Sequence, residues 1–128
     1  MNKLIICGNL TADPILNERE YTDKNTGEII KAKVCNFTVA AEDSYGIRKK
    51  TEFFSVTAWR GLGETCAKYL SKGRQVLIEG PVFMNNYVDK NNNLHAKLAV
   101  RANEVQLLQD GKGVQAMTDP EPEEDMVY

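Results

Sequence analysis

Aromatic rings, small hydroxyls and cations meet in one short stretch of this chain, the run K-T-E-F-F-S-V-T-A-W over Lys50–Trp59 with Arg48-Lys49-Lys50 at its head. In a strand, alternate residues share a side. Phe54, Val56 and Ala58 then form an apolar trio that reads as core. Phe53, Ser55, Thr57 and Trp59 share the opposite side, with a ring at each end of a row of hydroxyls. Such a face is too polar for an interior and too aromatic for plain solvent. Flat rings next to cations suit planar bases on a charged backbone: the bases stack on the rings, and lysine and arginine neutralise the phosphates. The bland alternative puts Phe53 and Trp59 in the core, but the trio already fills that side. The ligand class implied is single-stranded nucleic acid.

The elements that must position this stretch follow from hydrophobic alternation and turn residues. Lys3–Leu10 is an apolar, β-branched run broken at Gly8-Asn9, where glycine permits a bulge or a bend. Ile15–Thr22, the turn Asp23–Gly27 and the long return Glu28–Glu42 predict a hairpin, with Cys35, Phe37, Val39 and Ala41 pointing inward. Asp43–Gly46 predicts the next turn, which puts Tyr45 beside the basic triplet. Gly61–Lys72 reads as a helix, with Leu62, Cys66, Tyr69 and Leu70 on one face and Gly73 as its left-handed stop. Arg74–Tyr87 and Leu94–Leu108 read as two further strands around the turn Asp89–Asn93. In the latter, Leu94, Ala96, Leu98 and Val100 alternate. Five strands with one helix between the third and fourth is the order of an OB-fold, an all-β Greek-key barrel whose second and third strands form its binding face.

At 128 residues the chain is long enough for a core without disulfides or structural metals. Cys7, Cys35 and Cys66 each lie in an apolar pattern with no C-x-x-C pairing, so no disulfide framework, zinc site or cofactor is expected, and the odd number fits a reducing, cytoplasmic setting. No apolar run reaches membrane-spanning length, and the amino terminus lacks the pattern of an export signal. The net charge of −2 hides an asymmetry: residues 1–110 carry 15 basic and 13 acidic side chains, residues 111–128 one lysine and five acids. The expectation is a folded domain over 1–110 and a disordered acidic tail over 111–128. His95 has no second histidine or carboxylate pair near it in sequence, so it receives no catalytic or metal role. A metal-dependent barrel nuclease would need clustered carboxylates, which the scattered acids do not supply.

N-K-L-I-I-C-G-N-L-T-A-D-P at 2–14, N-F-T-V-A at 36–40, K-T-E-F-F at 50–54, A-K-Y-L-S-K-G at 67–73, V-L-I-E-G at 76–80 and the acidic, aromatic-ended carboxy terminus together carry a resemblance to the bacterial and phage single-stranded-DNA-binding proteins. It implies stacking aromatics at Tyr45, Phe53, Trp59 and Tyr87. Arg48, Lys49 and Lys50 are candidate phosphate contacts, followed by Arg60, Lys72 and Arg74. It also implies a homo-oligomer, commonly a tetramer, and a docking tip for replication and repair proteins at Glu123, Glu124, Asp125, Met126, Val127 and Tyr128. Where relatives usually carry tryptophan, the rings at 45, 53 and 87 are smaller. Where relatives end in proline and phenylalanine, this chain ends in Val-Tyr. The function expected is sequence-tolerant binding of single-stranded DNA during replication, recombination and repair, with no catalysis. The alternative is an OB-fold adaptor that contacts proteins in a replication complex.

Overall fold

The basic triplet and the ring-bearing run form one strand, β4 (Arg48–Trp59), which pairs antiparallel with β3 (Ile29–Tyr45) from Val34↔Trp59 to Tyr45↔Arg48. This computed structural model describes residues 1–108 and the backbone of 115–118. The strands extend past the expected turn at Asp43–Gly46, because Gly46, at φ 62°, and Ile47 suffice to reverse the chain. β2 (Ile15–Thr22) pairs with the first half of β3, and Asp23–Gly27 forms the turn as expected, with the Asp23 carboxylate accepting the Asn25 N–H at 2.8 Å.

β1 (Leu4–Leu10) serves two partners, β5 (Gln75–Gly80) along most of its length and β3 at Asn9 and Leu10. It runs unbroken through Gly8. The glycine is required by close approach: a Cβ there would lie under 3.0 Å from the Ala40 carbonyl oxygen. The expected strand Arg74–Tyr87 is two strands, β5 and β6 (Val82–Val88), because Pro81 has no N–H for a ladder. Leu94–Leu108 likewise divides into β7 (Leu94–Arg101) and β8 (Glu104–Leu107). β6 and β7 form a hairpin, and β7 joins β4 in parallel through Ser55↔Ala99, Val56↔Val100 and Thr57↔Arg101. That junction closes the five-stranded circuit of an OB-fold, with β5 and β6 together acting as its fourth strand.

Inward residues of β1, β3, β4, β5, β7 and β8 meet in the main core, with Cys35, Phe37 and Val39 from β3, Phe54, Val56 and Ala58 from β4, and Ile6, Val76, Ile78, Val100 and Val105 from the others. The helix α1 (Arg60–Tyr69) adds Leu62 and Cys66, with Leu70 directly after it. It ends earlier than the periodicity predicts. Leu70 turns extended, Tyr69 is half-exposed, and Gly73, at φ 86°, shapes the following turn rather than stopping the helix. Burial pushes the Cys35 thiol up to about 11 and the Cys66 thiol up to about 12, so both stay protonated in the core. Cys7, expected in an apolar setting, is exposed because it shares the outward face of β1 with Ile5.

Residues 115–118, assigned from sequence to the tail, form β9 (Gln115–Thr118), which pairs antiparallel with β8. Unpaired, the outer edge of β8 would present open hydrogen-bonding groups. The rest of the expected tail, together with 109–110, lies outside the described residues. Among the described residues no helix is long and apolar enough to cross a membrane. Nor is there a group of three or more His, Cys, Asp or Glu that could hold a metal ion.

Gly63 shows the same close approach where α1 meets the Ala58 carbonyl of β4, whereas a Cβ at Gly61 would meet nothing within 4 Å. Gly8→Ala and Gly63→Ala should each destabilise the fold by about 1–3 kcal/mol through forced backbone shifts. Gly61→Ala should be neutral or stabilising by up to about 1 kcal/mol, since alanine favours helix. Urea unfolding of the three variants checks this.

Candidate nucleic-acid interface

Residues opposite one another in register stand on the same face of a sheet, so the pairings build the surface directly. Phe53 lies opposite Ala40, and Ser55 opposite Thr38 and, across the parallel junction, opposite Ala99. Ala99 in turn faces Phe83, Lys97 faces Asn85 and His95 faces Tyr87. One continuous outward face therefore carries Phe53 and Ser55 from β4 and Phe83 and Tyr87 from β6, with Lys97 and His95 between them on β7. Phe53 is 55% exposed and Tyr87 48%, enough to present a ring side to a ligand. A cleft of about 270 Å³ crosses this face, and its lining includes Asp13, Ile15, Thr38, Ser55 and Lys97.

The opposite end of the expected ring row differs. Trp59 stands on the predicted side of β4 but is only 4% exposed, packed with Ala32 and Val34 of β3 and with Tyr21 of β2. The β2–β3 hairpin extends over this end and makes a second, smaller core, so Trp59 is not an open ring there. Its indole Nε1 is buried without a hydrogen-bond partner among the described residues. A cavity of about 260 Å³ lined by Arg19, Glu20, Tyr21 and Trp59 lies beside it. Thr57 is also withdrawn: its hydroxyl donates to the Asn36 side-chain oxygen at 3.0 Å in a buried setting, which leaves Ser55 as the hydroxyl of this row facing the cleft.

The cations are distributed unequally. Arg48 sits opposite Tyr45 at the hairpin tip, where the tyrosine is 85% exposed. Lys49 pairs with Glu42 at 3.7 Å and Lys50 with Glu52 at 3.2 Å. Such exposed pairs contribute about 0–1 kcal/mol and yield readily to a phosphate. Arg60 lies at the other end, at φ 56°, a strained conformation for a residue with a side chain; its Nη2 donates to the Tyr21 hydroxyl at 3.1 Å over the Trp59 cluster. The Lys72 N–H donates to Asp13 at 2.8 Å, which places Lys72 at the rim of the cleft. The Arg74 carbonyl accepts the Leu10 N–H at 3.0 Å in the same corner. The six residues from Glu123 to Tyr128 lie outside the described residues.

Two residues of the face escaped the sequence reading. Lys97 is half-buried in the cleft, and Phe83 adds a half-buried ring in the row of Ser55 and Ala99. The alternation of Leu94, Ala96, Leu98 and Val100 already turned Lys97 outward. What the sequence lacked was the parallel register that brings this outward side next to that of β4.

Trp59→Ala should cost about 3 kcal/mol of stability, as for other buried large aromatics. Phe53→Ala should leave the unfolding midpoint near that of the parent. Urea unfolding checks both, and the emission of the single tryptophan should be that of a buried indole.

Comparison with known proteins agrees with this architecture. Residues 1–108 match the single-strand binding protein family. A protein named single-stranded DNA-binding protein from Caldanaerobacter subterraneus subsp. tengcongensis is 30% identical, over 98% of this chain and 80% of its own length. Single-stranded DNA-binding protein 1 of Xylella fastidiosa is 31% identical, over 84% of this chain and 77% of its own. Single-stranded DNA-binding protein 1 of Clostridium acetobutylicum is 30% identical, over 88% of this chain and 97% of its own. With its OB-fold barrel and a match that spans the whole of it, the chain belongs to the single-strand binding protein family.

Proposed function

We propose that this protein binds single-stranded DNA without regard to base sequence and holds it during replication, recombination and repair, without catalysis. The observation that carries this reading is the continuous face on which the exposed rings Phe53 and Tyr87 flank a cleft containing Lys97. Every base has a π-face, so rings of this kind accept any sequence, while lysine and arginine meet the phosphates. Tyr45 and the triplet Arg48, Lys49 and Lys50 extend the path along the β3–β4 hairpin. Arg60 lies over the Trp59 cluster and Lys72 and Arg74 at the rim of the cleft, and Trp59, packed with Ala32, Val34 and Tyr21, serves stability rather than stacking. The names of the relatives support DNA as the ligand.

The protein works in the cytoplasm as a homo-oligomer, a tetramer by family resemblance. The outward face of β1, where Ile5 is 60% exposed, supports contact between copies. The carboxy-terminal tip, with acids at 123–125 followed by Met126, Val127 and Tyr128, recruits replication and repair proteins by offering a carboxylate, a ring and preceding charge to a basic pocket.

Titration with oligo-dT at several salt concentrations tests the reading. Phe53→Ala and Tyr87→Ala should each weaken binding by about 1–3 kcal/mol. Lys97→Ala should reduce the slope of log affinity against log salt by about 0.7, the share of one phosphate. Absence of oligo-dT binding at low salt would overturn the proposal in favour of a protein-contacting adaptor. Deleting residues 119–128 should leave affinity equal or tighter at low salt, because the acids compete with DNA for cations, and should abolish partner capture. A truncated chain that lost DNA binding but kept its partners would assign the tail to the DNA site instead.

A further inference from the structure

His95, which the sequence left without a role, lies at the centre of a built arrangement at the end of the β6–β7 hairpin. Its ring stacks against that of Tyr87, with centroids 5.1 Å apart and planes 17° from parallel. Its Nε2 meets Oδ2 of Asp89 at 2.6 Å. The two carboxylate oxygens of Asp89 divide the work. Oδ1 accepts the N–H groups of Asn91 and Asn93, each at 2.9 Å, and so ties the turn, while Oδ2 is given to the imidazole. The hydrogen bond from His95 is also the largest of the influences that hold the Asp89 carboxyl below its ordinary range, ahead of the turn amides. Oδ1 satisfies both turn amides, and Oδ2 lies within hydrogen-bonding distance of the imidazole.

We propose that His95 is a further residue of the nucleic-acid interface: clamped by Asp89, it holds Tyr87 in place as the second ring of a two-ring slab on which a base stacks. This rests on the reading of the face as a strand-binding surface. Each ring spends one side on the other and keeps a side for a ligand, consistent with an exposure of 44% for the His95 side chain and 48% for Tyr87.

The other charged and titratable groups on the packed elements are Tyr87 itself on β6, Lys90 in the turn, and Lys97 and, buried at the far end, Arg101 on β7. β4 joins β7 only from Ser55 and Ala99 onward; at its free end Lys49 pairs with Glu42 and Lys50 with Glu52, and Arg48 stands at the hairpin tip.

The test is oligo-dT affinity of the full chain at about 0.1 M salt, with urea unfolding alongside. His95→Gln should weaken binding by about fivefold or more, the share of one stacking ring, while the unfolding midpoint stays near the parent's. His95→Phe restores a ring and should recover the affinity. A His95→Gln protein with the parent's affinity would overturn the inference while leaving the interface intact. Failure of the parent to bind oligo-dT would overturn the reading of the face and this inference with it.

Discussion

Three consecutive pairs of parallel strand, Ser55–Thr57 against Ala99–Arg101, hold the architecture together. On one side of this junction stands the β3–β4 hairpin, on the other the β6–β7 hairpin, and each could form from local contacts alone. Joining them closes a loop of more than forty residues that contains α1 and β5, an entropic cost that grows only slowly with length but must be met by contacts made at closure. Val56 and Val100, opposite one another and fully buried, supply that contact on the inner side. The Ala102 N–H adds a hydrogen bond to the Thr57 carbonyl at 2.8 Å. On the outer side the same junction turns two separate sets of aromatic side chains into one surface.

Because strands alternate, the fold and the interface draw on different residues of the same segment. Phe54, Val56 and Ala58 hold the barrel, and Phe53 and Ser55 are left to the outer face. The separation ends where β2 folds over β4. There Trp59, Ala32, Val34 and Tyr21 form a cluster in which an outward-facing residue has become structural, and Arg60 accepts a left-handed backbone at the start of the helix while bonding to Tyr21. Large rings at that end stabilise the protein, whereas the rings at the end towards Tyr45 and Tyr87 are available to a ligand.

Electrostatics divide along similar lines. The exposed lysines at the β3–β4 tip are matched by glutamates within the same hairpin, in solvated pairs that contribute little to stability. At the tip of the β6–β7 hairpin the pairing is closer, His95 with Asp89. The two tips therefore differ in chemistry, one holding lysines in weak, solvated pairs and the other a stacked ring clamped by a carboxylate.

The all-β barrel, its single helix, the inward trio of β4 and the outward position of Phe53 were legible in the sequence, because two-residue alternation and turn residues are local signals that the backbone must obey. So was the division of Lys50–Trp59 into a core side and an outward side. Local patterns could not say how the hairpins lie on one another. Trp59 was given the correct side of its strand and the wrong exposure, since its cover comes from β2, some forty residues earlier. Lys97 and Phe83 joined the face only through the parallel register with β4, and His95 acquired Asp89 and Tyr87 only when a hairpin brought residues 87, 89 and 95 together. Sequence alone determined which side of each strand a residue occupies. Tertiary structure decided which of those sides are covered and which meet, because burial and stacking depend on contacts between segments that no local period encodes.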